Sequence, residues 1–241
     1  MLALTAIVAG VLVFGTGSAH AADECRGLQV CLPVAGPWVT IPARAPKATT
    51  SSVTWALRCP LRGYIVAGLD ARLSDRRIDV SFRGEAGSPV APGVTTGQTV
   101  FFVATFTGQG RKATSFRPFI GCVPSSGGGG RAATAYSRTR AATALKPGRP
   151  IEWRVAGVQL EPGNVRTMAL RCKTGDRLIG WSWATGTRTD VEPSPALLAG
   201  AHVTGTVRAG RVLVRVMASP RLPAGLIVEA QGHAVCARAA R

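Results

Sequence analysis

The residues best suited to bind a ligand lie close together near the C-terminus and alternate with apolar ones. Arg208, Arg211 and Arg215 are joined there by Thr204 and Thr206. On a strand hairpin that turns at Ala209 and Gly210, these five side chains share one face. Guanidinium groups bind phosphates and carboxylates through paired hydrogen bonds. The pattern predicts a binding face for acidic sugars or phosphates. The alternative is an ordinary solvated face.

A second candidate is the stretch Trp181-Ser182-Trp183. Residues i and i+2 of a strand point to the same side, about 6.6 Å apart. Two exposed indoles at that spacing form a flat platform for sugar rings. The alternative is that both indoles fill a core, as large aromatic side chains usually do.

Catalytic residues are sparse. After the predicted signal peptide the chain has only His202 and His233, and it has no G-x-S-x-G nucleophile motif. A hydrolase would need two carboxylates brought together by the fold. The candidates would come from this set: Asp70, Asp79, Glu85, Asp190 and Glu192. Each is more simply explained as a partner of a nearby arginine. We therefore expect a non-enzymatic protein without cofactor or metal, and keep a secreted carboxylate-dependent hydrolase as an alternative.

The charge balance points to anionic partners. The chain has 29 Lys and Arg against 12 Asp and Glu, for a formal net charge of +17. Such a protein attracts polyanions. An anionic cell-envelope polymer or acidic glycan is the expected partner. Nucleic acid is expected to bind only nonspecifically, because aromatic residues that would stack on bases are not interleaved with the arginines.

The N-terminus predicts export. Residues 1–21 contain an apolar run and end in the A-x-A pattern of a signal-peptide cleavage site. Six cysteines, an even number, favour disulfides in an exported chain. We expect a secreted or cell-envelope-associated protein whose mature chain has no membrane span.

A repeated tetrapeptide organises the rest of the chain. Ala-Leu-Arg-Cys occurs at 56–59 and again at 169–172. Cys122 follows Cys59 by 63 positions, and Cys236 follows Cys172 by 64. This spacing predicts a tandem duplication with disulfides Cys59–Cys122 and Cys172–Cys236, and by exclusion Cys25–Cys31. Each long bridge is worth about 4 kcal/mol in the chain-entropy model.

The repeat predicts five segments. The signal peptide covers 1–21, and an N-terminal segment with a small disulfide loop covers 22–35. The first β domain spans 36–123 and the second 149–241. A linker rich in Gly, Ser, Ala and Arg joins them over 124–148.

Alternation with period two predicts strands throughout both halves. Val53, Trp55, Leu57 and Cys59 share one face, as do Ile65, Ala67, Leu69, Ala71 and Leu73. Trp38 and Trp153 are expected in the cores. Regularly spaced short strands with Gly and Pro turns predict an all-β protein of two tandem β-sandwiches.

Aligning the two halves with the constant offset of 113 matches Gln98 to Arg211 and Phe102 to Arg215. We therefore expect an apolar Phe102 face in the first half that is covered by the linker, the second domain or a protein partner. Self-assembly through this face is the structural alternative to polymer binding.

The turns Cys-Pro-Leu-Arg-Gly-Tyr and Cys-Lys-Thr-Gly-Asp-Arg, each with a late Gly-Cys-Val or Val-Cys-Ala strand, resemble small secreted β-rich modules common in actinobacteria. The resemblance implies an exported β fold and no particular activity. An immunoglobulin-like sandwich also fits the cysteine separations and the position of Trp181 and Trp183 after Cys172. The first half lacks the matching Trp, and neither closing cysteine has a Tyr two residues before it.

Overall fold

The computed structural model describes residues 25, 28, 30–43, 45, 48–85, 89–90, 97–109, 112–125 and 151–237. The predicted signal peptide and positions 126–148 of the predicted linker lie outside the described residues. Within the described ranges, no helix has the length and apolar character needed to cross a membrane.

Almost all of the regular secondary structure in the described chain is β-strand, as expected. The strands are β1 Leu32–Ala35, β2 Trp38–Ile41, β3 Ser51–Arg58, β4 Tyr64–Leu73, β5 Ile78–Gly84, β6 Pro89–Val90, β7 Thr99–Phe106, β8 Thr114–Pro124, β9 Ile151–Leu160, β10 Val165–Arg171, β11 Arg177–Arg188, β12 Ala201–Arg208, β13 Arg211–Ala218 and β14 Ile227–Ala237. One short helix, α1 Pro195–Leu198, precedes β12 and is capped by the Ser194 side chain.

The strands form three antiparallel sheets. The seven-stranded long sheet has the order β1-β8-β2-β11-β14-β9, with β4 on the other edge of β8. The inner sheet has the order β3-β7-β5-β6, and the outer sheet has the order β10-β13-β12. The inner sheet packs on the first-half strands of the long sheet, and the outer sheet packs on its second-half strands.

The two halves have the same strand arrangement. In the first half β3-β7-β5 faces β4-β8-β1/β2, and in the second half β10-β13-β12 faces β11-β14-β9. Each half even has a bulge at the same place, between Val66 and Gly68 in β4 and between Leu178 and Gly180 in β11. This agreement supports the tandem-repeat interpretation.

All three predicted disulfides are present: Cys25–Cys31, Cys59–Cys122 and Cys172–Cys236. The two long bridges join the two sheets of each half, as in an immunoglobulin-like sandwich. One strand differs from that fold. The position beside β8 is occupied by the N-terminal β1 and β2, where an immunoglobulin domain places its last strand.

The predicted N-terminal segment contributes a strand to the long sheet. β1 begins at Leu32, inside the predicted N-terminal segment, and pairs with β8 from Cys122 to Phe119. β2 then pairs with β8 on one edge and, through Trp38 and Val39, with β11 on the other. The halves are therefore joined in one sheet, which composition and alternation do not reveal.

Strand register corrects two expectations about faces. The bulge in β4 places Val66 in the core with Leu69 and Ala71, so the predicted alternation from Ile65 does not continue through the strand. Arg58 of the first half pairs with Thr99, and its repeat counterpart Arg171 pairs with Arg211. Strands β7 and β13 therefore match at an offset of 112 and not 113. A shift of one residue moves every side chain of a strand to the opposite face.

Phe102 consequently lies in the first core, with none of its surface exposed. Its ring centroid lies 5.2 Å from that of Phe82 and 6.5 Å from that of Phe116. The expected partner-binding Phe102 face is therefore absent, because this residue is the counterpart of buried Val214.

The neighbouring residue Phe101 makes the contact between the halves. It points from the reverse face of the inner sheet towards β9 and β14, where its ring lies 4.8 Å from Trp153 and 6.2 Å from His233. Trp38 is buried as expected. Trp153 is only half-buried and belongs to this contact between the halves.

A chain of polar side chains completes the contact. The Gln231 amide binds both backbone groups of Ala56 on the edge strand β3, accepting at 2.8 Å and donating at 2.9 Å. His233 is fully buried, with Nε2 3.2 Å from Gln231 Oε1 and Nδ1 3.2 Å from Ser182 Oγ. Because Oε1 only accepts, Nε2 carries the proton and Nδ1 accepts from Ser182.

Burial lowers the pKa of His233 from 6.5 to about 4. The unfolded chain therefore binds more protons between these two values, and stability must fall as the pH drops from 6.5 towards 4. The expected loss is about 3 kcal/mol below pH 4. Urea unfolding from pH 4 to 8 measures it.

His233→Gln is the matched control because it keeps a polar side chain but removes the titrating group. Its free energy of unfolding should vary less over the same pH range. Equal slopes for both proteins would contradict the assignment.

The β12–β13 hairpin turns at Ala209 and Gly210, as expected. Both residues have positive φ, 47° and 70°, which is the type I′ geometry that favours Asn-Gly.

A left-handed alanine costs about 1 kcal/mol. Ala209→Asn should therefore raise the free energy of unfolding by up to about 1 kcal/mol, measured in urea. Gly210→Ala should lower it, and a stabilised Gly210→Ala variant would refute the explanation.

Candidate anion-binding face

The outer sheet exposes one complete face. Its inward side chains, Met168, Leu170, Val212, Val214 and Val216, are buried against the long sheet. The intervening side chains point away from the molecule. We call this side the arginine face. Its arginines and threonines are all exposed: Thr167, Arg171, Thr204, Thr206, Arg208, Arg211 and Arg215.

The strand pairing brings the predicted residues together and adds one. Arg211 lies directly opposite Arg208 on β12 and directly opposite Arg171 on β10. Directly paired side chains have Cβ atoms about 4.5–5.5 Å apart. Three guanidinium groups therefore form a row across all three strands. Arg215, between Thr204 and Thr167, extends the cationic surface along β13.

No acidic residue balances this row within the sheet. The sequences of β10, β12 and β13 contain no Asp or Glu. The ion pairs found among the described residues join Arg77 to Asp75, Arg154 and Lys173 to Glu152, and Arg188 to Glu229. The arginines of the face take part in none of these. Such a surface offers unpaired charge-assisted donors to an anion.

The matching face of the first half has a different environment. Ala56 and Phe101 lie on the reverse side of the inner sheet, buried at 7% and 1% exposure beneath the second half. Register places Thr99 where the outer sheet has Arg211, and Val103 where it has Arg215. Thr99 and Val103 are half-buried, whereas Arg211 and Arg215 are exposed.

Arg171 is the residue that the sequence reasoning missed. It belongs to the second Ala-Leu-Arg-Cys copy, which was used only to place the cysteine. Alternation puts Arg171 on the same side of β10 as Ala169. Only the pairing of β10 with β13 shows that this is also the side of Arg211.

Trp181 and Trp183 do not join the arginine face. They lie on β11, with ring centroids 5.3 Å apart, and cover Gly205 of β12 from the inner side. They are still 36% and 39% exposed, because they sit at the open edge of the second sandwich. Their position is thus intermediate between the two alternatives, a core and a free platform.

The carboxylates considered for hydrolysis are spread over the structure. Asp70 lies in β4 and accepts a hydrogen bond from the backbone of Ala71, Asp79 lies in β5, and Glu85 follows it. Asp190 and Glu192 lie in the loop after β11. Among the described contacts, no hydrogen bond or ion pair joins two of these groups.

Comparison with known proteins gives no family assignment. No family model matches the chain, and no significant match is found among curated proteins or solved structures.

The arginine row should carry a measurable cost to folding. Like charges directly opposite destabilise a sheet by about 0.2–1 kcal/mol. Arg211→Thr, which copies Thr99 of the first half, should raise the free energy of unfolding by a similar amount at low salt. The gain should shrink at high salt, because screening weakens the repulsion.

Arg166→Thr is the matched control, since it removes the same charge from the same sheet. Arg166 pairs with buried Val216 and so belongs to the opposite side. It should show little salt-dependent gain. A gain as large as that of Arg211→Thr would exclude repulsion within the row.

Proposed function

We propose that this protein is a secreted, non-enzymatic binding protein that holds an anionic polymer of the cell envelope, or an acidic glycan, on its arginine face. The observation that carries the proposal is the row formed by Arg171, Arg211 and Arg208. It is exposed, spans three strands and has no acidic residue on its own sheet.

The architecture explains why a flat sheet suits this role. The valines of β13 are buried under the row, so the backbone that carries the guanidinium groups is rigid. A rigid array loses less conformational entropy on binding than mobile loop residues do. The flat shape fits an extended chain with repeated phosphate or carboxylate groups.

The compartment follows from the cysteines and the N-terminus. Three disulfides are typical of a chain that folds in an oxidising environment. The signal-like sequence at 1–21 supports the same location. The proposed partner is therefore a polymer outside the cytoplasmic membrane.

The test is retention of the oxidised chain on immobilised polyphosphate, on the polygalacturonate of pectin and on DNA, across a salt gradient. A variant carrying Arg171→Ser, Arg208→Ser and Arg211→Ser should elute from each matrix at lower salt. On DNA its log–log salt slope should fall by about 2 to 3, because each phosphate contact contributes about 0.7–0.9.

The control variant carries Arg62→Ser, Arg166→Ser and Arg221→Ser. These arginines are also exposed, and the control loses the same net charge. It should keep most of the slope. Equal losses in both variants would mean that total charge governs binding and that the arginine face has no special role.

A further inference from the structure

A second candidate site lies away from the arginine face, in a groove of about 390 Å³. It opens where β11 passes the end of β2 and the beginning of β3, so both halves line it. We call it the tryptophan groove, and its lining includes Thr40, Ser52, Trp181, Ser182, Trp183 and Thr185. Its volume lies within the range of about 300–1,000 Å³ that is usual for small-ligand sites.

The two indoles are held in place from below. Their planes are inclined by 32°, and both rings lie against Gly205. A Cβ atom at that position would overlap Cζ3 of Trp181 and would come within 3.0 Å of Cζ3 of Trp183. Because Gly205 has no side chain, both indole rings can pack against β12. More than a third of each tryptophan nevertheless stays exposed.

The rest of the groove lining is uncharged and mixes hydroxyl-bearing side chains with apolar ones such as Val53, Leu198 and Val203. Thr40, Ser52 and Thr185 bring hydroxyl groups to its lining, and the lining contains no Asp, Glu, Lys or Arg. Ser182 is already hydrogen-bonded to His233. Exposed indoles beside neutral hydroxyls can stack on a C–H surface and bind hydroxyl groups at the same time. That combination is the chemistry of a neutral sugar, and it does not select an anion.

Stacking on an indole ring narrows the class of sugar. A pyranose with every hydroxyl equatorial presents a flat C–H face to an indole, whereas an axial hydroxyl interrupts that face. The ring centroids are 5.3 Å apart, close to the advance of one sugar unit in an extended chain. We infer that the tryptophan groove binds a neutral β-1,4-linked chain of glucose or N-acetylglucosamine. This site is separate from the arginine face and does not depend on it.

The probes are cellohexaose and chitohexaose, titrated into the full oxidised chain by calorimetry and by tryptophan fluorescence. One of them should bind at least tenfold more tightly than β-1,4-galactohexaose, in which O4 of every ring is axial. The two probes also distinguish a glucose chain from an N-acetylglucosamine chain. Trp181→Ala and Trp183→Ala should each weaken binding at least tenfold.

Gly205→Ala provides a test that leaves both tryptophans in the chain. Its methyl group should displace the indoles and weaken binding at least fivefold, and it carries the test if a tryptophan variant fails to fold. The variant lacking Arg171, Arg208 and Arg211 should bind the sugar as the wild type does. This result separates the groove from polymer binding by the arginine face.

Two results would overturn the inference. One is the absence of binding by both hexasaccharides at millimolar concentration. The other is binding that survives in Trp181→Ala, Trp183→Ala and Gly205→Ala alike. Binding of an extended peptide, with no binding of either sugar, would assign the groove to strand addition along β11.

Discussion

The pairing of one short strand with two others determines the shape of this protein. β2 lies between β8 and β11, so hydrogen bonds continue from the first half into the second. That junction brings the second-half strands against the reverse face of the inner sheet. Phe101 and Ala56 are buried there, and Gln231 binds both backbone groups of Ala56 on the β3 edge strand. An edge that is blocked at one residue in this way is less open to unwanted strand pairing.

The same junction explains why two similar halves present different surfaces. The inner sheet is partly covered on its reverse side: Asp79, Ser81 and Arg83 of β5 stay exposed, Phe101 is buried, and Thr99 and Val103 are half-buried. Among the described strands, none packs on the far side of the outer sheet. Equivalent positions there are occupied by Arg211 and Arg215. A solvated face tolerates charge at these positions, but a run of arginines without acids exceeds what solubility requires. The anion binding that we propose would account for that excess.

Sequence patterns predicted the structure correctly where a single kind of interaction determines it. Cysteine spacing identified all three bridges, and alternation identified the β12–β13 hairpin, its turn at Ala209 and the outward arginines. The patterns failed where the outcome depends on register. Shifts of one residue at the bulge after Val66 and in the strand of Phe102 changed the predicted faces. The pairing of β2 with β11 and the place of Arg171 in the row depend on contacts between strands distant in sequence, which periodicity does not encode.

The contact between Gln231 and Ala56 joins residues 175 positions apart. A chain synthesised or exported from its N-terminus therefore completes the strands of the first half long before β14 is available. Until then Phe101 and the β3 edge are exposed to solvent and to other chains. Contacts between residues so distant in sequence form slowly, and exposed strand edges promote aggregation in the interval. The pairing of β14, the last strand, is therefore a late folding step that protects the first half of the chain.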